Sequence, residues 1–141
     1  MHTTKIDVDY ALENYEANFD TGFIYRKSTL EPIGSIGYNG STRYRIYTAI
    51  RGLKVPNHRL LWVLWNECDV PAGFDVKHIN KNQMDNRLIN LSVASRTGSN
   101  KHRNAYRKPI WQLIDEAEAF VGQPLPYGNV ETYRRVKAGG L

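Results

Sequence analysis

His78, Asn90 and the residues between them are the part of this chain best suited to chemistry. His78 ends a short β-prone run, Asp75-Val76-Lys77-His78. An asparagine-rich stretch follows, and Asn90-Leu91 leads into a second β-prone run, Leu91-Ser92-Val93-Ala94. The basic segment from Arg96 to Lys108 comes next and fits a helix. Strand, loop, strand and helix on this scale can hold one imidazole against a phosphodiester, with the helix supplying cation ligands and phosphate contacts. Hydrolysis of that bond needs a base to activate water and a cation to offset charge on the pentacovalent phosphate. It also needs a group that keeps the base in its productive tautomer. A lone histidine on a strand is ordinarily a satisfied packing residue, so the surrounding string has to carry the argument.

That string is ordered. His58-Arg59-Leu60 is followed by Trp62, a Pro71-Ala72-Gly73 turn, His78-Ile79-Asn80 and Asp85-Asn86-Arg87-Leu88-Ile89-Asn90-Leu91. It resembles the HNH homing-type endonucleases common in phage genomes, closely over the middle of the chain and loosely on its N-terminal side. The resemblance implies a ββα-metal unit from about Phe74 to Arg107. In that unit His78 is the general base, and Asn90 is the central asparagine that orients it. The implied cofactor is Mg²⁺ or Mn²⁺, held by the residue before the base and by one early on the following helix. Those positions fall on Lys77 and Ser99. A lysine ammonium has no lone pair and repels a cation, and a serine hydroxyl is a weak ligand for a hard one.

Three readings follow from that departure. Asn100, or His102 on the same helical face as Ser99, substitutes as ligand. Alternatively Lys77 supplies positive charge to the phosphate and no metal is used. In the third, the nuclease is inactive and its fold serves as a DNA- or protein-binding module. The resemblance makes the His58-Arg59 pair structural or substrate-facing, so His58 is assigned no chemistry.

Charge points to the same segment. The net charge is +5, but Val76 to Lys108 holds eight Lys or Arg against one acid, Asp85. Eight bases meet nine acids before that segment, and three meet four after it. The excess favours a polyanionic partner, double-stranded DNA given the resemblance. Lys77, Arg87, Arg96, Lys101, Arg103, Arg107 and Lys108 are the candidates for phosphate contacts. Asn100 and Asn104, four apart, share a helical face that could reach a groove edge.

The elements that must position these residues give an α+β expectation. A short helix is expected from about Tyr10 to Ala17, a first strand over Phe23–Arg26, and a loop from Ser28 to Asn39. Arg43 to Ile50 alternates like a half-wetted strand and turns at Arg51-Gly52 into Leu53–Val55, giving a small N-terminal antiparallel sheet. The alternation Tyr44, Arg45, Tyr47 fits a half-buried sheet face or a nucleic-acid contact, the first being commoner. Asn57 is the expected N-cap of a buried helix over His58–Asn66, with Trp62 and Trp65 as core anchors. A C-terminal amphipathic helix spans Ile110–Val121, its apolar edge at Ile110, Leu113, Ala117 and Phe120, and ends at Gly122. A last short helix falls over Asn129–Val136. The division is 1–57 β-rich, 58–108 HNH-like and 109–141 helical, within one compact domain.

No run approaches the ~18 apolar residues of a membrane span. Met1 to Asp7 lacks the apolar core of a signal peptide. The single cysteine, Cys68, excludes an internal disulfide and is expected as a half-buried thiol. Together these give a cytoplasmic expectation, the host cytoplasm if the chain is phage-encoded.

Overall fold

Alternation in Tyr44–Ile50 turns Ile46, Thr48 and Ile50 inward, and that strand is the centre of a three-stranded antiparallel sheet. The computed structural model describes residues 5–38, 44–96 and 108–137. Its strands are β1 Tyr15–Asn18, β2 Phe23–Arg26, β3 Ser35–Tyr38, β4 Tyr44–Ile50, β5 Leu53–Pro56, β6 Phe74–His78 and β7 Leu91–Ser95. Its helices are α1 Val8–Asn14, α2 Asn57–Asn66, α3 Ile110–Val121 and α4 Val130–Lys137, with a 3₁₀ turn at Leu88–Asn90. Three antiparallel sheets result, β1-β2, β3-β4-β5 and β6-β7. The fold is mixed α+β, as expected. No helix among the described residues is long and apolar enough to cross a membrane.

Several local expectations are corrected. The first helix stops at Asn14, and Tyr15 begins a strand paired with Arg26. Extended backbone there buries the Tyr15 ring beside Tyr10. The stretch expected as a loop before Asn39 contains β3, because Ile36 pairs with Ile46 and both enter the core. Gly34 and Gly37 masked that strand in the sequence.

Asn57 is not an N-cap. Pro56 holds that position without a side-chain cap bond. The buried Asn57 amide instead accepts from Thr48 Oγ1 at 2.6 Å and donates to the Ile33 carbonyl at 3.2 Å. It thereby pins the start of α2 to β4 and sets His58 in place. Trp65 is 56% exposed and packs edge-on to Phe19, while Leu60, Leu61 and Val63 carry the helix's burial. The buried row of α3 is Ile110, Ile114 and Ala117, rotated from the expected edge, and Phe120 is exposed. Cys68 is exposed rather than half-buried.

Two apolar clusters form the interior. One gathers Tyr15, Ile24, Ile50, Val55, Leu60 and Leu61 between α1, α2 and the sheets. The other gathers Phe23, Ile36, Ile46, Met84, Ile114 and Tyr127 under α3 and α4. The loop between β6 and β7 touches both, with Met84 fully buried in the second and Leu88 packed on the first. Arg134 ties α4 to α3 through Glu118 at 2.6 and 3.1 Å.

Gly22, in the β1-β2 turn, lies against the peptide joining Asn86 to Arg87. A Cβ there would overlap the Asn86 carbonyl and sit 2.6 Å from the Arg87 nitrogen. Gly52 has the same φ of +81° with nothing within 4 Å. Gly22→Ala and Gly52→Ala therefore share the backbone penalty, about 1 kcal/mol, and differ in packing. Gly22→Ala is expected to cost about 1–3 kcal/mol more by overpacking. Urea denaturation of both variants measures the difference, and equal losses would contradict this packing.

Candidate functional site

The β6-β7 hairpin pairs Val76 with Val93 and His78 with Leu91. Side chains alternate along a strand, so the buried Val76 puts His78 on the inner face and Lys77 with Asp75 on the other. The intervening loop is held by its own amides. Asn90 Oδ1 accepts from the Asn80 backbone N–H at 2.9 Å, and Asn90 Nδ2 donates to Asn80 Oδ1 and to the Asp85 carbonyl. The Asn90 carbonyl accepts from the Ile79 N–H at 2.7 Å. Asn82 Nδ2 donates to the Leu113 carbonyl of α3 at 2.9 Å, and the Leu88 N–H donates to the Phe19 carbonyl at 3.0 Å. Buried polar groups without such partners would each cost a few kcal/mol, so an asparagine-rich loop suits this closed path.

The side chain that hydrogen-bonds the His78 ring is that of Asn86. His78 Nε2 lies 2.7 Å from Asn86 Oδ1. An amide oxygen only accepts, so Nε2 carries the proton and Nδ1 keeps the lone pair. Asn90, expected to orient the ring, has its carbonyl bonded to the N–H of Ile79, the residue after His78. Asn86 stands inside the quoted motif, but as one of four asparagines in this loop its residue type gave no separate signal.

His58 also belongs to the site. Its ring centroid is 4.6 Å from that of His78, with the planes inclined by 53°. Burial lowers the His58 pKa well below the ordinary range, helped by His78 and by the Arg45 charge, while a bond to the Val76 backbone opposes. His78 is half-buried and its pKa is lowered to about 4, chiefly by desolvation. Its bond to Asn86 opposes that shift, Arg45 adds to it, and Asp85 opposes. Both imidazoles are therefore neutral near pH 7. The Tyr127 phenol, pushed up by burial, faces the Asn86 amide. Their approach falls short of a well-formed hydrogen bond, so Tyr127 Oη and Asn86 Nδ2 are buried without partners, as is Arg45 Nε.

The described basic candidates all lie beside acids. Lys77 Nζ is 3.6 Å from Asp75, and Arg96 Nε is 2.9 Å from the same carboxylate. Arg87 makes a bidentate pair with the fully buried Asp85 and stacks over Phe120 at 5.0 Å. Lys108 pairs with Glu116 at 3.0 Å. Ser99, Asn100, Lys101, His102, Arg103, Asn104 and Arg107 lie outside the described residues.

Among the described residues no three His, Cys, Asp or Glu side chains gather where they could hold a metal ion. The Asp75 carboxylate, two residues before the base position, is shared by Lys77 and Arg96, and the helix positions expected to complete a metal site, Ser99, Asn100 and His102, lie outside the described residues.

The two rings give a pH signature. The folded pKa of His78, about 4, lies below its ordinary 6.5. Unfolding therefore takes up a proton over that interval, and the contribution of neutral His78 is complete above pH 6.5 and lost as pH falls towards 4. Between pH 7 and pH 4.5 the loss from this group is about 2 kcal/mol, and His58 acts in the same direction. Urea midpoints at the two pH values, compared with those of His78→Gln, measure it. A wild-type loss no larger than the variant's would contradict the assignment.

No protein family, curated protein or solved structure matches this chain, so its functional reading rests on the residues and geometry above.

Proposed function

We propose that this chain is a DNA-binding protein of the HNH homing endonuclease type, acting in the cytoplasm and hydrolysing phosphodiester bonds in duplex DNA with His78 as general base. The observation that carries this reading is a half-buried neutral imidazole at the end of a hairpin strand. Its Nε2 proton is given to Asn86, and its loop is closed by Asn90. That arrangement leaves Nδ1 to take a proton from water as the water oxygen bonds to phosphorus. The P–O bond to the leaving sugar oxygen breaks, and solvent protonates that oxygen. The β6-β7 hairpin and its loop supply the two strands of a ββα-metal unit. The positive charge of the segment from Val76 to Lys108 suits a phosphate backbone.

A second reading has its own support. Lys77 stands at the expected ligand position, and the His78 pKa near 4 makes its ring a weak base. On this reading the fold is a catalytically inactive module that binds DNA, or a protein, through the same basic segment.

Supercoiled plasmid incubated with the protein in Mg²⁺, Mn²⁺ or EDTA separates the two. The nuclease reading expects nicked or linear product, reduced about a hundredfold or more by His78→Ala. Salt-sensitive retention of plasmid without product, unchanged by His78→Ala, selects the inactive module. An inactive protein switched on by Lys77→Asp with Ser99→Asn would mark a lapsed metal site. Neither product nor retention removes DNA as the partner.

A further inference from the structure

We propose that Tyr127, between α3 and α4 and outside the motif, is a positioning residue for His78. Its hydroxyl accepts from Asn86 Nδ2 and so keeps Asn86 Oδ1 turned towards the ring. The proposal rests on the reading of His78 as general base, and it names what holds that base in its productive tautomer.

Packing and backbone bonds place Tyr127. Its ring sits edge-on to Phe23, the centroids 5.8 Å apart, and the neighbouring Gly22 lies against the peptide joining Asn86 to Arg87. Phe23, Tyr127 and Met84, two residues before Asn86, share one buried cluster. On the other side Gly128 is bonded to β3 through both backbone groups. Its N–H donates to the Gly34 carbonyl at 2.9 Å, and its carbonyl accepts from the Ile36 N–H at 3.0 Å. Asn129 Nδ2 adds a bond to the Ile36 carbonyl at 3.2 Å. The phenol is thus brought to the Asn86 amide by the C-terminal segment and β3, not by the loop that follows His78.

The unmet groups give the reason for the contact. Asn86 Nδ2 and Tyr127 Oη are both buried, and neither has another partner among the described residues. A buried tyrosine hydroxyl ordinarily finds one, and a buried N–H left alone costs about 1–3 kcal/mol. They face each other, and burial keeps the phenol protonated. An amide turned half a circle about its Cβ–Cγ bond exchanges its oxygen and nitrogen. In the orientation present, Oδ1 accepts from His78 Nε2–H at 2.7 Å, which leaves Nδ2 to Tyr127. Without the phenolic oxygen Nδ2 has no acceptor, and a bare N–H is worse tolerated than a bare carbonyl oxygen. Turning the amide over then gives Nδ2 the Nε2 lone pair, and the ring proton moves to Nδ1. That nitrogen would no longer have a lone pair for the proton of water.

The test uses the whole protein, without nucleic acid, and reads the His78 ring by ¹⁵N NMR at pH 7. The protonated and bare nitrogens of a neutral imidazole resonate far apart, so the tautomer is read directly. The wild type is expected to carry its proton on Nε2. Tyr127→Phe is expected to move it to Nδ1 in about half or more of the molecules, a shift within reach of one lost hydrogen bond. Phe23→Leu, which loosens the same cluster and keeps the hydroxyl, is expected to lower stability and leave the tautomer alone. A wild-type proton on Nδ1 overturns the proposal. So does an unchanged tautomer in Tyr127→Phe, or an equal exchange in Phe23→Leu, which would make the role of Tyr127 one of packing alone. Should Tyr127→Phe not fold, nuclear Overhauser contacts in the wild type decide. Contacts from the Asn86 Nδ2 protons to the Tyr127 ring support the proposal, and their absence overturns it.

The plasmid assay keeps the two proposals apart. Cleavage by Tyr127→Phe is expected to fall with the competent fraction of rings, about twofold or more. An exchanged tautomer in a protein that never cuts DNA supports the role of Tyr127 and overturns the endonuclease reading. Full cleavage by Tyr127→Phe with the proton still on Nε2 overturns the role of Tyr127 and leaves the endonuclease reading standing.

Discussion

The structure depends on one requirement, that the polar loop between β6 and β7 satisfy its own hydrogen bonds while it enters the interior. Asp85 is fully buried, Asn82, Asn86 and Asn90 nearly so, and Met84 between them is sealed in an apolar cluster. Leaving any of those amides unpaired would cost a large part of the few kcal/mol by which a domain this size is stable. The loop meets most of that requirement by bonding to itself, with Asn80, Asp85 and Asn90 sharing donors and acceptors, and Asn86 Nδ2 is the exception. The orientation of His78 is a by-product of that closure. Its ring is held by Asn86, and the residue after it by the Asn90 carbonyl.

Much of the fold was legible because its signals are periodic. The alternation of Tyr44–Ile50, the turn at Arg51-Gly52 and the stop at Gly122 each follow from local stereochemistry, and each stands where expected. The failures share a cause. Asn57 reads as a cap by residue type, yet Thr48 and the Ile33 carbonyl, distant in sequence, draw its amide inward. The tryptophans of α2 read as core by size, yet the aliphatic Leu60, Leu61 and Val63 fill the space and Trp65 is left at the rim. In both cases a tertiary contact outweighs a local preference, and no window of sequence contains it.

The candidate site divides in the same way. His78 and the bracing role of Asn90 could be read from the motif, since both lie in one contiguous string. His58 could not, because a different element, the start of α2, brings it to the ring, and Tyr127, from the segment before α4, reaches the Asn86 amide. Burial, with the Arg45 charge adding to it, disfavours taking up a proton, so both rings stay neutral near pH 7. The buried Asp85 carboxylate of the loop opposes the shift at His78 although Arg87 pairs with it.

The loop's anchors run in opposite directions, Asn82 to α3 and Leu88 to the end of β1. A segment fastened to both clusters cannot open while either remains packed, so its amide protons should exchange with solvent only through cooperative melting of the whole domain. Long surface loops are often the loosest part of a fold, and this one is built as a rivet.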